Sequence, residues 1–89
     1  MRAVITVVGK DTVGIIAKVS DICAKNNVNI LDISQSIVND FFCMIMVVSI
    51  PKTAIKFTEL VDILTKLGED EGLAIHAMHE DIFNSMHRI

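Results

Sequence analysis

The chain has 89 residues, of which 52% are hydrophobic, and its 8 Lys and Arg against 11 Asp and Glu give a net charge of -3. A chain of this length forms one domain, residues 1–89, and buries only about 60 to 65% of the surface that its unfolded state exposes. Because one small core cannot hide so many hydrophobic residues, we expect association with a second copy. The acidic balance argues against nucleic acid and anionic membranes as partners.

No apolar run approaches the ~20 residues of a membrane span. The first residues lead directly into a strand pattern without a cleavable leader, so we predict a cytoplasmic protein. Cys23 and Cys43 lie in apolar stretches and lack a CxxC partner. We expect buried, reduced thiols, although the sequence alone also permits a disulfide.

The first half of the chain alternates strand and helix patterns. A β-branched run over residues 3–8 predicts the first strand. Apolar residues at helical spacing then predict a helix from about Val13 to Asn26, with Asp11 or Thr12 as its N-cap. From Val28 to Ile37, apolar and polar residues alternate, which indicates a strand with one face exposed to water.

The second half begins with a predicted hairpin. Asn39 and Asp40 favour a turn, and residues 41–48 are apolar at every position, as is typical of a central strand. A second amphipathic helix begins near Phe57 and ends at Gly68 or, as we favour, at Gly72.

A final strand over residues 73–78 and a helical tail over residues 81–89 complete the predicted elements. The order β-α-β-β-α-β predicts an α+β fold, the ferredoxin-like plait, in which a four-stranded antiparallel sheet carries both helices on one face. The tail adds a short C-terminal helix. The second and fourth strands lie at the edges of this sheet, and an open edge can pair with another subunit.

The loop before the first helix contains the most informative glycine. We expect Gly14 in the first helical turn, where it costs about 0.5 to 1 kcal/mol relative to Ala unless the backbone is approached closely. The free N–H groups of that turn carry a partial positive charge, which suits the carboxylate of an amino acid. Alternatively, Gly14 only allows close packing of helix and sheet. Asp11 is more often a cap than a ligand, although it can also bind an ammonium group.

These residues resemble a known family. Residues 9–16, Gly-Lys-Asp-Thr-Val-Gly-Ile-Ile, followed by Asn29-Ile30, resemble the signature of the ACT domain, in which an Asp-Arg-Pro-Gly-Leu-Leu-like loop precedes the first helix. The predicted element order fits that domain along the whole chain. The chain is also similar to stand-alone ACT proteins of bacteria and archaea, which end much like residues 80–89, and to the ACT regulators of the glycine-cleavage operon.

The resemblance implies a regulatory domain that binds an amino acid at a homodimer interface. We also expect a regulated protein as a partner, and neither a cofactor nor a metal. Position by position, it assigns the ligand to two walls, Asp11, Thr12, Val13, Gly14 and Ile15 on one side and Asn29 and Ile30 on the other. Asn29 can both donate and accept hydrogen bonds. Where the family has Arg-Pro, this chain has Thr12-Val13, which makes the loop less rigid.

Three other classes of protein share parts of this pattern but fit the sequence less well. The glycine spacing of residues 9–14 matches a phosphate-binding loop, but Ile15-Ile16 stands where that loop needs Lys-Ser/Thr. An acylphosphatase-like enzyme needs an arginine before the first helix, and the chain has only Arg2 and Arg88. An RNA-recognition module needs basic charge beside its aromatic residues, which this chain lacks.

Two polar features remain to be interpreted. The histidines His76, His79 and His87 are a weak candidate for a metal site, because His76 and His79 are three residues apart on a strand and point to opposite faces. Gln35 shares the apolar face of the second strand with Ile33 and Ile37. It needs a polar partner there, either across an interface or as a satisfied edge residue.

We therefore predict a dimeric amino-acid-binding regulatory module. The alternative is a structural protein–protein interaction module without a ligand. We expect no enzymatic activity, because no nucleophile, base and oxyanion donor can be assembled from these residues.

Overall fold

The fold consists of seven elements in a computed structural model that describes residues 1–10 and 13–86. They are β1 (Arg2–Lys10), α1 (Ile15–Lys25), β2 (Asn29–Val38), β3 (Phe41–Ser49), α2 (Phe57–Glu71), β4 (Ala74–His79) and α3 (Glu80–Met86). The strand order is β2-β3-β1-β4, and each neighbouring pair is antiparallel. This confirms the ferredoxin-like plait with β2 and β4 at its edges. None of the helices within the described ranges is long and apolar enough to cross a membrane.

The β2–β3 hairpin turns at two residues, as predicted. Asn39 and Asp40 have φ angles of 49° and 69°, and Val38 pairs with Phe41 across the turn. Asn and Asp tolerate this left-handed conformation better than other side chains, and two such residues in a row match the twist of a hairpin. The turn therefore sets the register of β2 against β3.

The core lies on one face of the sheet. Alternate residues of β1 and β3 and one face of each long helix form it, including Ile5, Val7, Met44, Met46, Val19, Cys23, Leu60 and Leu64. Because the buried residues of α1 and α2 recur every four residues, each helix turns one stripe toward the sheet. Fully burying a side chain of this kind stabilises the fold by roughly 1.5 to 3 kcal/mol.

The other face of the sheet is only partly covered. Val4 is 1% exposed although it belongs to this second face, and α3 contacts β1 and β4 there. An ion pair between Arg2 and Glu80, with an N–O distance of 3.1 Å, joins α3 to β1. Farther along the sheet, Val8 and Ile45 remain exposed.

The start of α1 differs from the prediction. The helix begins at Ile15 rather than at about Val13, and Gly14 is its N-cap with φ of 86°. A residue with positive φ cannot belong to a right-handed helix, so the helix can begin only after Gly14. The predicted cap, Asp11 or Thr12, is therefore wrong, and so is the placement of Gly14 in the first helical turn. The end of α2 agrees with the prediction, because Gly72 is its C-cap with φ of 69°.

The edge strand β2 is irregular near its start. Its pairing with β3 shifts register between Ile30 and Asp32, which places a bulge at Leu31. The carboxylate of Asp32 accepts a hydrogen bond of 2.9 Å from the backbone N–H of Ile33. A bulge and an occupied backbone donor both make an edge less able to extend a sheet.

Both cysteines are free thiols. Cys23 is buried in the core, as predicted, and burial raises the pKa of its thiol. Cys43 is only half-buried, because it belongs to the second face of the sheet, which α3 covers incompletely.

Candidate functional site

A groove lies between the N-terminus of α1 and the second half of β2. It has a volume of about 640 Å³ and is lined by Val13, Gly14, Ile15, Ile16, Ala17, Gln35, Ser36, Ile37 and Phe42. Sites for small molecules typically occupy about 300 to 1,000 Å³, so the groove has room for a metabolite.

The strand side of the groove is set by the hairpin register. Gln35 lies opposite Met44, and Ile37 lies opposite Phe42. Because directly paired residues point to the same face, Gln35 and Ile37 are on the face that carries the core. Phe42 is buried and forms the floor, whereas Gln35 and Ile37 are exposed at the edge of the sheet.

The helix side of the groove is formed by the first turn of α1. The first backbone hydrogen bond of the helix runs from the N–H of Lys18 to the carbonyl oxygen of Gly14, at 3.0 Å. The N–H groups of Ile15, Ile16 and Ala17 therefore precede the helical ladder. Gly14 offers no capping side chain, and the first turn contains no acidic residue. This helix end favours an anion or a hydrogen-bond acceptor.

The described lining of the groove carries no formal charge. Ser36 lies opposite Cys43, on the other face of the sheet, so it presents mainly its backbone to the groove. The amide of Gln35 is the polar side chain that projects on the groove face, and no other described residue hydrogen-bonds to it. The groove thus combines an apolar floor with a helix N-terminus and one amide.

A comparison with family models decides the family, since the model of the ACT domain matches residues 2–78. The chain belongs to the ACT domain family. A UPF0237 protein of Clostridium perfringens is 53% identical over 89 residues, which is 100% of both chains. The solved structure of an ACT domain protein from Streptococcus pneumoniae has a TM-score of 0.81 at 40% identity and covers 93% of each chain. These relatives confirm the resemblance to stand-alone ACT proteins.

A more distant structure shares the fold of this ACT domain. A candidate glycine cleavage system transcriptional repressor has a TM-score of 0.69 at 24% identity, covering 85% of this chain and 43% of that one. The predicted similarity to glycine-cleavage regulators is therefore found at the level of the fold.

The structure brings part of the predicted ligand site together. Val13, Gly14 and Ile15 all line the groove, whereas Asp11 and Thr12 lie outside the described residues. Asn29 and Ile30 are at the far end of β2, roughly 15 to 25 Å from the groove at about 3.3 Å per residue. Within one chain of this ACT domain the two predicted walls do not meet, so a site that uses both needs a second chain.

Several lining residues were not predicted. Ile16, Ala17, Ser36, Ile37 and Phe42 form much of the groove, and Gln35 stands out in the sequence only as a polar residue on an apolar face. The signal that could have found Ser36, Ile37 and Phe42 is the Asn39-Asp40 turn. A two-residue turn places Ile37 opposite Phe42, which puts the second half of β2 beside the start of α1.

The histidines of the described residues do not converge. His76 pairs with Thr6 and His79 pairs with Ala3, so they point to opposite faces of the sheet, as predicted. The Nδ1 atom of His79 accepts a hydrogen bond of 3.1 Å from the backbone N–H of Asp81, at the start of α3. Across the ranges that the structure describes, no three His, Cys, Asp or Glu side chains are grouped to hold a metal ion. His87 lies outside those ranges.

Proposed function

We propose that residues 1–89 form a single regulatory ACT domain that binds an amino acid as a homodimer and has no catalytic activity of its own. The observation that carries this proposal is the groove, which is lined both by the N-terminus of α1, where Gly14 offers no capping side chain, and by Gln35. The ligand's carboxylate accepts hydrogen bonds from the first-turn N–H groups of α1. Its ammonium group donates to the side-chain oxygen of Gln35.

The groove is lined partly by the edge strand β2, so a second subunit that packs beside this edge can close it. Asp11, Thr12, Val13, Gly14 and Ile15 form the first wall in this proposal. Asn29 and Ile30 of the partner subunit form the second wall. A ligand held between two chains stabilises their contact, and this linkage gives the module a way to signal amino-acid levels to a regulated protein.

Exposed apolar side chains beside the groove support the homodimer. Ile33 and Ile37 project from the edge strand on the groove face and are exposed in the single chain. A contact between two chains that includes the groove removes both from water, at roughly 25 cal/mol per Å² of apolar surface. A small domain gains proportionally more from such a contact than a large one.

A thermal-shift screen of the full chain against the twenty amino acids tests the ligand. A ligand present at 100 times its Kd, binding only the folded state, adds about 2.7 kcal/mol of stability. We expect at least one amino acid to raise Tm in a concentration-dependent way, and sedimentation to give twice the chain mass. If no amino acid raises Tm at about 10 mM, a concentration that detects even a Kd on the order of 1 mM, the ligand-binding proposal is rejected.

The uncovered part of the second sheet face favours a second candidate function. Val8 and Ile45 are exposed there, and α3, which contacts β1 and β4, also exposes the apolar residues Ile82 and Met86. Exposed apolar surface of this kind can dock another protein. If the screen finds no ligand, a structural interaction module is the better proposal.

A further inference from the structure

The groove combines hydrogen-bonding groups with apolar side chains. The hydrogen-bonding groups are the N–H groups of Ile15 and Ile16, which precede the helical ladder, and the amide of Gln35. The remaining side chains are apolar. Phe42 forms a buried floor, and Ile37 and Val13 form exposed rims. A free amino acid also combines both kinds of group, with its charged groups on one carbon atom and its side chain directed away from them.

We infer that this groove selects amino acids whose side chain is apolar, an inference that rests on the proposed function and adds the class of ligand. When the carboxylate binds the N–H groups of α1 and the ammonium group binds the amide of Gln35, the ligand's side chain lies over Phe42 and against Ile37. Those neighbours offer dispersion contacts and no hydrogen bond. For an apolar side chain alone, the transfer from water to these neighbours is favourable.

Polar and charged side chains are disfavoured by the same surroundings. A hydroxyl or amide placed against Ile37 and Phe42 loses its hydrogen bonds to water without replacement. An acidic side chain loses more, because the described lining holds no positive charge. The expected order of affinity is therefore apolar above polar, and polar above acidic, for side chains of equal size.

Pairs of ligands with equal shape provide the test. Isothermal titration calorimetry of the full chain compares L-valine with L-threonine and L-leucine with L-asparagine. We expect valine to bind at least about fivefold tighter than threonine, and leucine at least about tenfold tighter than asparagine. If threonine or asparagine binds as tightly as its partner, the inferred specificity is wrong while the amino-acid site stands. If none of the twenty amino acids binds, both proposals fail.

Two neighbouring strand residues supply a matched pair of variants. Ile37 is 62% exposed and faces the groove, whereas Val38 is 56% exposed and faces the other side of the sheet. Ile37→Glu should weaken L-leucine binding by roughly tenfold or more, because it puts a carboxylate beside the ligand's side chain. Val38→Glu should change it by less than about twofold.

Both variants alter exposed positions, so thermal unfolding should confirm that each is folded. Ile37→Leu, which keeps the apolar contact, should retain the parental affinity for L-leucine. The inference is overturned if Ile37→Glu and Val38→Glu weaken binding equally, since the side chain of Ile37 then has no particular part in recognition.

Discussion

Gln35 lies directly opposite Met44 across β2 and β3, so an exposed amide stands in the same row as a fully buried core methionine. The row runs on through Val7 and Ile75, which pair in β1 and β4. Gln35 is thus the end of this row that reaches water, at the edge of the sheet beside the start of α1. This position explains why a polar side chain is compatible with an otherwise apolar face.

The variant Gln35→Leu should weaken amino-acid binding without destabilising the fold. An amide hydrogen bond contributes about 0.5 to 1.5 kcal/mol, so the Kd for L-leucine should rise by roughly two- to tenfold. The matched control is Ser34→Ala, which removes a polar group from the adjacent residue on the opposite face. Calorimetric titration measures the Kd of each variant for L-leucine. An unchanged Kd for Gln35→Leu would mean that the ligand's ammonium group does not bind Gln35.

The variant Asn29→Ala tests the second wall. If Asn29 of the partner subunit binds the ligand, its loss should weaken binding by about a few-fold to tenfold, while the free energy of unfolding changes little because the position is exposed. A mixed dimer with Asn29→Ala in one chain and Ile37→Glu in the other should keep one intact site and lose one. Two impaired sites, each weakened by one of the two substitutions, would mean that the walls do not come from different chains.

The variant Ile33→Lys tests where two chains meet. Ile33 is 38% exposed on β2, between the groove and Asn29, so any dimer that completes the two-walled site covers it. Two like charges brought together there should weaken the dimer by about tenfold or more. Ile63→Lys is the matched control, since Ile63 is 37% exposed on α2, and it should leave the sedimentation profile unchanged.

A third lysine variant tests whether the chains associate through the groove side of β2 or through the second sheet face. Ile45 is 40% exposed on the second sheet face, away from the groove. If Ile45→Lys gives a monomer and Ile33→Lys remains dimeric, the chains associate through that face, and the partner subunit's Asn29 does not reach the groove.

Substitutions of Gly14 should act through backbone conformation. An added Cβ at this position meets nothing within 4 Å, but φ is 86°, so Gly14→Ala should lower the free energy of unfolding by about 1 to 2 kcal/mol through strain alone. Gly14→Asn should cost less, because Asn tolerates this region. Urea denaturation measures both variants. Equal stability of Gly14→Ala and the parent would contradict the left-handed N-cap.

Burial of Cys23 predicts a change of stability at alkaline pH. Burial raises the pKa of this thiol above its ordinary value of 9.0, so the folded state holds the proton more tightly than the unfolded state. The stabilisation is complete below pH 9 and is lost as pH rises through the folded-state pKa, with a slope of at most about 1.4 kcal/mol per pH unit. Urea midpoints between about pH 8 and 10.5 should therefore fall more steeply for the parent than for Cys23→Ala. If the urea midpoints of the parent and of Cys23→Ala fall in parallel with pH, the raised pKa of Cys23 is contradicted.

The topology and one wall of the groove were predictable because they depend on local patterns. The run of β-branched residues in β1, the helical stripe of α1 and the Asn39-Asp40 turn each specify their own element. The φ of Gly14 was not predictable, since a glycine is compatible with both a helical turn and a left-handed cap. The wall formed by Gln35 and Ile37 depends on pairing between strands. That wall becomes visible only when the hairpin register is combined with the crossing of α1 over the sheet.

The irregular start of β2 has a consequence for how many chains can join. Strand-by-strand addition at a flat edge leaves a fresh edge after every step, and such growth ends in fibres. Here the bulge at Leu31 bends the edge, and the carboxylate of Asp32 already holds the N–H of Ile33. In the proposed homodimer, contact between the chains relies on side chains such as Ile33 and Ile37, which the first partner covers. A chain with 52% hydrophobic residues can in this way form a pair without adding further copies at this edge.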